Sequence, residues 1–180
     1  MFDNSNCTVL IDLINSDLSD SQVMNASIRN DIINYFSYGS NMNVERMRER
    51  GVLYLSKERF ALEGYELRFN KISYSNPNAG AANIVPHETG RVEGILYKIT
   101  ISGLVSLDGY EGYPHEYDRK ILLINSDGYK EDDMVTYVAR PSRIKEGLHP
   151  TREYLRHLLE ARNFLSGPYY ERLKALRTLD

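Results

Sequence analysis

The sequence predicts an α+β fold with a largely antiparallel or mixed sheet, able to close into a small barrel, and with helices gathered mainly at the end. Three observations carry that expectation. Strand-like segments crowd the middle of the chain and turn-forming residues link them. Long crossovers are too few for a doubly wound sheet. A length of 180 residues, 42% hydrophobic and 26% charged, suits one domain with a real core.

Residues 1–31 are rich in Ser, Asn and Asp around one apolar cluster, Val9-Leu10-Ile11 with Leu13 and Ile14. They read as an N-terminal extension to a main domain of residues 32–180. A docked helix, a docked strand and a partly ordered arm all fit the composition. From Ile32 to Tyr38 the chain is aromatic and β-branched and is bounded by Gly39, which predicts a buried strand. Asn43 is then an N-cap, with Glu45 in the first turn, Arg48 and Arg50 in the last and Gly51 as terminator, so a short helix is expected over 43–50. Tyr65, Leu67 and Phe69 alternate with Glu66, Arg68 and Asn70, the period of a half-buried strand. After the break at Asn76-Pro77-Asn78-Ala79-Gly80, strands are predicted over Arg91–Ile99, Lys120–Ile124 and Met134–Val138, with turn chemistry in Asn125-Ser126-Asp127-Gly128. Tyr154, Leu155, Leu158, Leu159 and Leu165 have helical spacing, and Pro168–Leu176 follows Ser166-Gly167 as a second short helix.

Charge narrows the function classes. A net charge of −3 gives no electrostatic footprint for nucleic acid or an anionic membrane. Arg143, Lys145, Arg152, Arg156 and Arg162 cluster near the end, but Glu146, Glu153 and Glu160 lie among them, which is the pattern of a solvated helix face. No apolar run approaches the roughly 20 residues that span a bilayer. No Lys or Arg precedes Arg29, against a secretory signal, and the lone Cys7 has no internal disulfide partner. A cytoplasmic protein is expected. His87, His115, His149 and His157 lack metal-ligand spacing, and no nucleophile elbow, dinucleotide fingerprint or P-loop occurs.

Two segments point to chemistry. In "SGLVSLDGYEG", Ser102 to Gly112, a helix capped by Ser102 puts Leu104, Leu107 and Glu111 on one face. A carboxylate then ends an apolar stripe at a helix C-terminus, where burial and the dipole favour the protonated form, as a general acid/base near neutral pH requires. The same spacing fits a Glu111 that reaches solvent or pairs with Arg119. In "YFSYGSNM", Tyr35 to Met42, a strand that turns through Gly39-Ser40-Asn41 into a helix start leaves backbone N–H groups facing one spot, suited to an anion or a developing oxyanion. An ordinary strand-to-helix turn uses the same residue types.

The segment Tyr35-Phe36-x-Tyr38-Gly39-Ser40-Asn41-Met42 resembles the signature loop of the γ-glutamylcyclotransferase (AIG2-like) family, and Leu107-Asp108-x-x-Glu111-Gly112 resembles its catalytic segment. Gly80–Ile99 is similar to the family's pair of strands, "YEGYPHEYDR" to its bacterial form, and the last helices to its carboxy-terminal pair. The resemblance covers about residues 34–177. It implies a small mixed, mostly antiparallel β-barrel with flanking helices. It also implies an intramolecular reaction in which the α-amine of a γ-glutamyl amino acid or amine attacks the γ-carbonyl and releases 5-oxoproline, with no cofactor or metal. Glu111 matches the proton shuttle. Tyr38, Gly39, Ser40, Asn41 and Met42 match the binding loop, and Tyr117 and Tyr137 match tyrosines that line the pocket. The expected partner is a small γ-glutamyl substrate, with neither nucleic acid nor membrane, and a homodimer is left open. The rival expectation is a non-catalytic module of the same fold that binds a small metabolite or a protein; the presence of Glu111 argues against it. The leaving group is not specified by these motifs.

Overall fold

The computed structural model describes residues 32–124 and 132–180. The extension, Cys7 and the turn expected at 125–128 lie outside the described residues. Residues 33–180 form one unit built on a five-stranded sheet of order β2-β3-β1-β5-β4. The strands are β1 (Ile32–Ser37), β2 (Tyr54–Ile72), β3 (Gly80–Thr100), β4 (Tyr117–Ile124) and β5 (Asp132–Ala139). The β2/β3 and β4/β5 pairs are antiparallel, whereas β1 runs parallel to β5. The α+β class and the mostly antiparallel pairing are thus as the sequence predicts.

Closure is the point of difference. The hydrogen-bonded ladder ends at β2 and β4 and forms an open sheet, not a closed barrel. Side chains nonetheless bring those edges together. The Lys71 ammonium on β2 lies 2.6 Å from Glu116 just before β4, and the Lys120 ammonium on β4 lies 5.1 Å from the centre of the Tyr65 ring.

Strands β2 and β3 are 19 and 21 residues long, well beyond the usual five or six. Register shifts between Tyr54 and Ser56, Glu63 and Tyr65, and Arg68 and Lys71 bend this pair. The shifts also break the alternation, which explains why the sequence shows only fragments of each strand. Gly80–Ile99, expected as two strands, is one. Where the period is intact it sorts the core: Ile95, Tyr97 and Ile99 face one apolar cluster with Met47, Leu104, Leu107 and Leu158, while Ala82, Ile84, Val92 and Leu96 face another with Phe36 and Met134. Gly94 is required by β1, because a Cβ there would stand 2.2 Å from the Ser37 carbonyl oxygen.

The helices are α1 (Val44–Glu49), α2 (Ile101–Glu111), α3 (Arg152–Leu159) and α4 (Gly167–Lys174). Each begins at a side-chain cap, from Asn43, Thr100, Thr151 and Ser166 respectively. The cap of α2 is Thr100, two residues earlier than the expected Ser102, because the Thr100 hydroxyl accepts from Gly103 N–H at 3.1 Å. Leu165 falls beyond α3, where it is buried against the same cluster. Among the described residues no helix is long and apolar enough to cross a membrane.

Candidate active site

Strand β1 delivers the first half of the site. Its alternation sends Tyr35 and Ser37 toward a cavity and Phe36 toward the core behind, and the chain then turns at Gly39 into a short 3-10 turn, Ser40–Met42. Gly39 is held close to its neighbours: a Cβ would stand 3.2 Å from the Ala82 Cβ and 3.3 Å from the Tyr154 hydroxyl. The turn consumes two donors, since Met42 N–H donates to the Gly39 carbonyl and Asn43 N–H to that of Ser40. Among the described residues nothing accepts from the N–H groups of Gly39, Ser40 and Asn41. The backbone donors left without a partner in this segment are therefore those of the loop itself. The helix start is otherwise engaged, because the Asn43 side chain takes the Glu45 and Arg46 N–H groups.

Helix α2 delivers the second half. Leu104 and Leu107 are 3% and 0% exposed, anchoring its inner face, and Glu111 follows in its last turn. Gly112 terminates the helix with φ +66°, a left-handed conformation natural to glycine, and a Cβ there would press on Glu116. Glu111 is mostly buried and does not pair with Arg119. Its Oε1 accepts from Arg50 Nη1 at 2.8 Å and from Asn41 Nδ2 at 3.0 Å, and the Arg50 and Glu111 side chains are only 9% and 16% exposed. Arg50 also donates to Asn41 Oδ1 at 2.7 Å, so the three side chains interlock and tie the loop to the helix end. Arg119 instead makes a two-pronged pair with Asp108, one turn earlier on α2.

One cavity of about 290 Å³, its open mouth included, is lined by Tyr38, Gly39, Ser40, Asn41, Glu111, Tyr117 and Tyr137. Every residue that the sequence analysis assigned to the site is there except Met42. Met42 is 1% exposed within the core and its N–H is bound to Gly39, so it holds the loop from behind. The cavity adds Tyr35, Ser37, Ala82 and Tyr154, which sequence reasoning did not assign to it. The signal for Tyr35 was the period of two along Tyr35, Ser37 and Gly39. Arg50, also not assigned to the site, looked like ordinary helix-end charge, and Tyr154 like one more apolar position of α3.

The tyrosines divide by what their hydroxyls do. Tyr117 donates to the Ala82 carbonyl at 2.7 Å, Tyr38 to the Tyr137 carbonyl, and Tyr137 to Asp108 at 2.8 Å. These three brace the walls. Tyr35 accepts from Asn41 at 2.8 Å and Tyr154 from Ala82 N–H at 3.0 Å, bonds that leave their own protons uncommitted. Burial, with the negative charge of Glu111 adding to it, lifts all five hydroxyls above the ordinary tyrosine range. They act as neutral hydrogen-bonding groups, and Glu111 is the carboxylate of the cavity. The arrangement offers a proton carrier opposite a set of fixed donors.

The family model described as gamma-glutamyl cyclotransferase, AIG2-like, matches residues 35–156, which runs from the second half of β1 through the loop and α2 to most of α3. Among curated proteins no sequence match is found. A solved gamma-glutamyl cyclotransferase is 26% identical with a TM-score of 0.68, over 83% of this chain and 90% of its own. An uncharacterized protein from Homo sapiens gives 27% identity, a TM-score of 0.68 and the same coverage. YkqA from Bacillus subtilis gives 26% identity and a TM-score of 0.70 over 82% of this chain and 56% of its own. With a family model spanning most of its length and structures that share its fold, the chain belongs to the gamma-glutamyl cyclotransferase, AIG2-like family.

Proposed function

We propose that the protein cyclises the γ-glutamyl group of a γ-glutamyl amino acid or amine, releasing 5-oxoproline and the free amino acid or amine. The α-amine forms a new bond to the γ-carbonyl carbon, closing a five-membered ring, and the γ-amide C–N bond breaks. Glu111 relays the two protons that the α-ammonium loses, one before attack and one as the ring amide forms, to the departing nitrogen, which leaves as an ammonium, so protons balance and no co-reactant enters. The N–H groups of Gly39, Ser40 and Asn41 receive the glutamyl carboxylate or the oxyanion that develops on the carbonyl oxygen. Residues 32–180 are the catalytic domain in this reading, and residues 1–31 an extension to it. The single observation that carries the proposal is that Glu111 lines one cavity together with Gly39, Ser40 and Asn41, whose backbone N–H groups have no partner among the described residues.

Holding amine and carbonyl together supplies much of the rate, because orientation alone contributes several kcal/mol. The Arg50–Asn41–Glu111 lock serves that purpose by fixing the shuttle relative to the loop. Product identity tests the reaction. Incubation with γ-glutamyl amino acids and amines, followed by chromatography, is expected to give equal amounts of 5-oxoproline and free amino compound. Glutamate in place of 5-oxoproline would mean that water, not the internal amine, is the nucleophile, and would overturn the proposal.

A further inference from the structure

Helix α2 carries two carboxylates one turn apart, and the reaction described above uses only the second. Glu111 reaches the loop, whereas Asp108 reaches the sheet. The Asp108 Oδ1 accepts from the Tyr137 hydroxyl on β5 and from Arg119 Nε on β4, each at 2.8 Å, and its Oδ2 takes the second prong of Arg119. The Arg119 guanidinium carbon lies 4.9 Å from the centre of the Tyr113 ring, which adds a cation–π contact to the pair. A carboxylate with three charged or hydroxyl donors on it is a fixed point. Through Tyr137 that fixed point reaches the cavity. The Tyr137 carbonyl accepts from the Tyr38 hydroxyl, and its ring meets that of Tyr35 edge-on, with centroids 5.8 Å apart. Tyr35, Tyr38 and Tyr137 line the same cavity as Glu111, so Tyr137 is the hub of one aromatic wall. Its hydroxyl has one proton and gives it to Asp108, so it does not donate to a substrate. The Leu104 carbonyl, one turn back along α2, lies 3.4 Å from that hydroxyl and is the acceptor it would turn to without Asp108.

We propose that Asp108 is a positioning residue for the reaction: by holding Tyr137 it sets the distance between the aromatic wall and Glu111. One turn of α2 then carries both the proton shuttle and the post that fixes the wall against which the γ-glutamyl group packs. This rests on the reading of Glu111 given above. Asp108 is not among the described residues that line the cavity, so it acts through Tyr137.

The test is a double-mutant cycle of Asp108→Ala and Tyr137→Phe, with Asp108→Asn as the conservative variant. It is read as kcat and KM for γ-glutamyl-alanine, with unfolding midpoints measured beside them. Because small misplacements of reacting groups are costly, each single variant is expected to lower kcat by about tenfold to a hundredfold while KM changes less. The double variant is expected to be no slower than the slower single one, since both remove the same hydrogen bond. Asp108→Asn keeps an acceptor for Tyr137 but loses the charge that pairs with Arg119, so it is expected to unfold at a lower temperature yet keep most of kcat. Wild-type kcat in Tyr137→Phe, or Asp108→Asn as slow as Asp108→Ala, would overturn the inference. Additive losses in the double variant would overturn it too, because Tyr137 would then act on the substrate directly. The wild type alone reports on the reaction. Turnover with any of these three patterns removes Asp108 and leaves the reaction standing, whereas a wild type without turnover removes both.

Discussion

At the scale of single residues, the site depends on a few atoms held at short range. Gly39 is one of them. A methyl group at 3.2 Å from Ala82 and 3.3 Å from the Tyr154 hydroxyl is tighter than ordinary packing, so the loop must yield by a few tenths of an ångström. Since small misplacements of reacting groups are costly, Gly39→Ala is expected to lower kcat/KM by about tenfold or more while leaving the unfolding midpoint almost unchanged. Steady-state kinetics beside thermal unfolding would check this, and a variant with wild-type activity would show that the loop does not position substrate. Residue identity made Gly39, Ser40, Asn41 and Glu111 legible in the sequence. Arg50 was not legible as a site residue, because nothing local distinguishes a charge that ends a helix from one that crosses to Glu111, 61 positions away. Met42 was misplaced for the opposite reason: it belongs to the motif, but its side chain faces the core.

At the scale of elements, α2 carries Glu111, the proposed shuttle, and its weak point is visible. Gly109 lies in the helix yet its Cβ position is open, with no atom within 4 Å. The helix runs through it to Glu111 because the Thr100 cap, the buried pair Leu104 and Leu107, and the Gly112 terminator fix both ends. Gly109→Ala is therefore expected to stabilise the protein by about 0.5–1 kcal/mol through lower unfolded-state entropy, with activity retained. A drop in the denaturation midpoint would contradict the helical geometry at that position. Helix positions were legible to within a residue or two, since caps are local chemistry: Asn43 and Ser166 act as their spacing suggests. The long β2/β3 hairpin was only partly legible, because each register shift resets the alternation that marks a strand.

For the whole molecule, the open sheet is held near closure by a charged cluster. Glu116 joins Lys71 at 2.6 Å and Arg143 at 2.9 Å, and Lys71 is 4% exposed. Burial opposes ionisation of Glu116, but hydrogen bonds and charge from Lys71 and Arg143 outweigh it and hold the carboxyl below the ordinary 4.5. A carboxyl depressed by folding adds stability that is complete above the unfolded value and is lost as pH falls through the folded one. Unfolding midpoints measured downward from pH 4.5 should thus fall more steeply for the wild type than for Glu116→Gln. That variant is itself expected to be less stable near neutral pH by about 3 kcal/mol, because it strands a buried ammonium. Equal slopes would remove Glu116 from the account. The fold class was legible because strand fragments and turns outnumber crossovers, whereas the parallel β1–β5 pairing joins segments about 100 positions apart and leaves no local trace. What ties loop and helix together is Glu111, bound to the Asn41 and Arg50 side chains. The most direct measurement is 5-oxoproline formation from γ-glutamyl substrates by the wild type and by Glu111→Gln, with circular dichroism to show that both are folded. Turnover by the wild type that falls roughly 10²–10⁴-fold in the variant is the expected result. Undiminished turnover by folded Glu111→Gln would contradict the central claim.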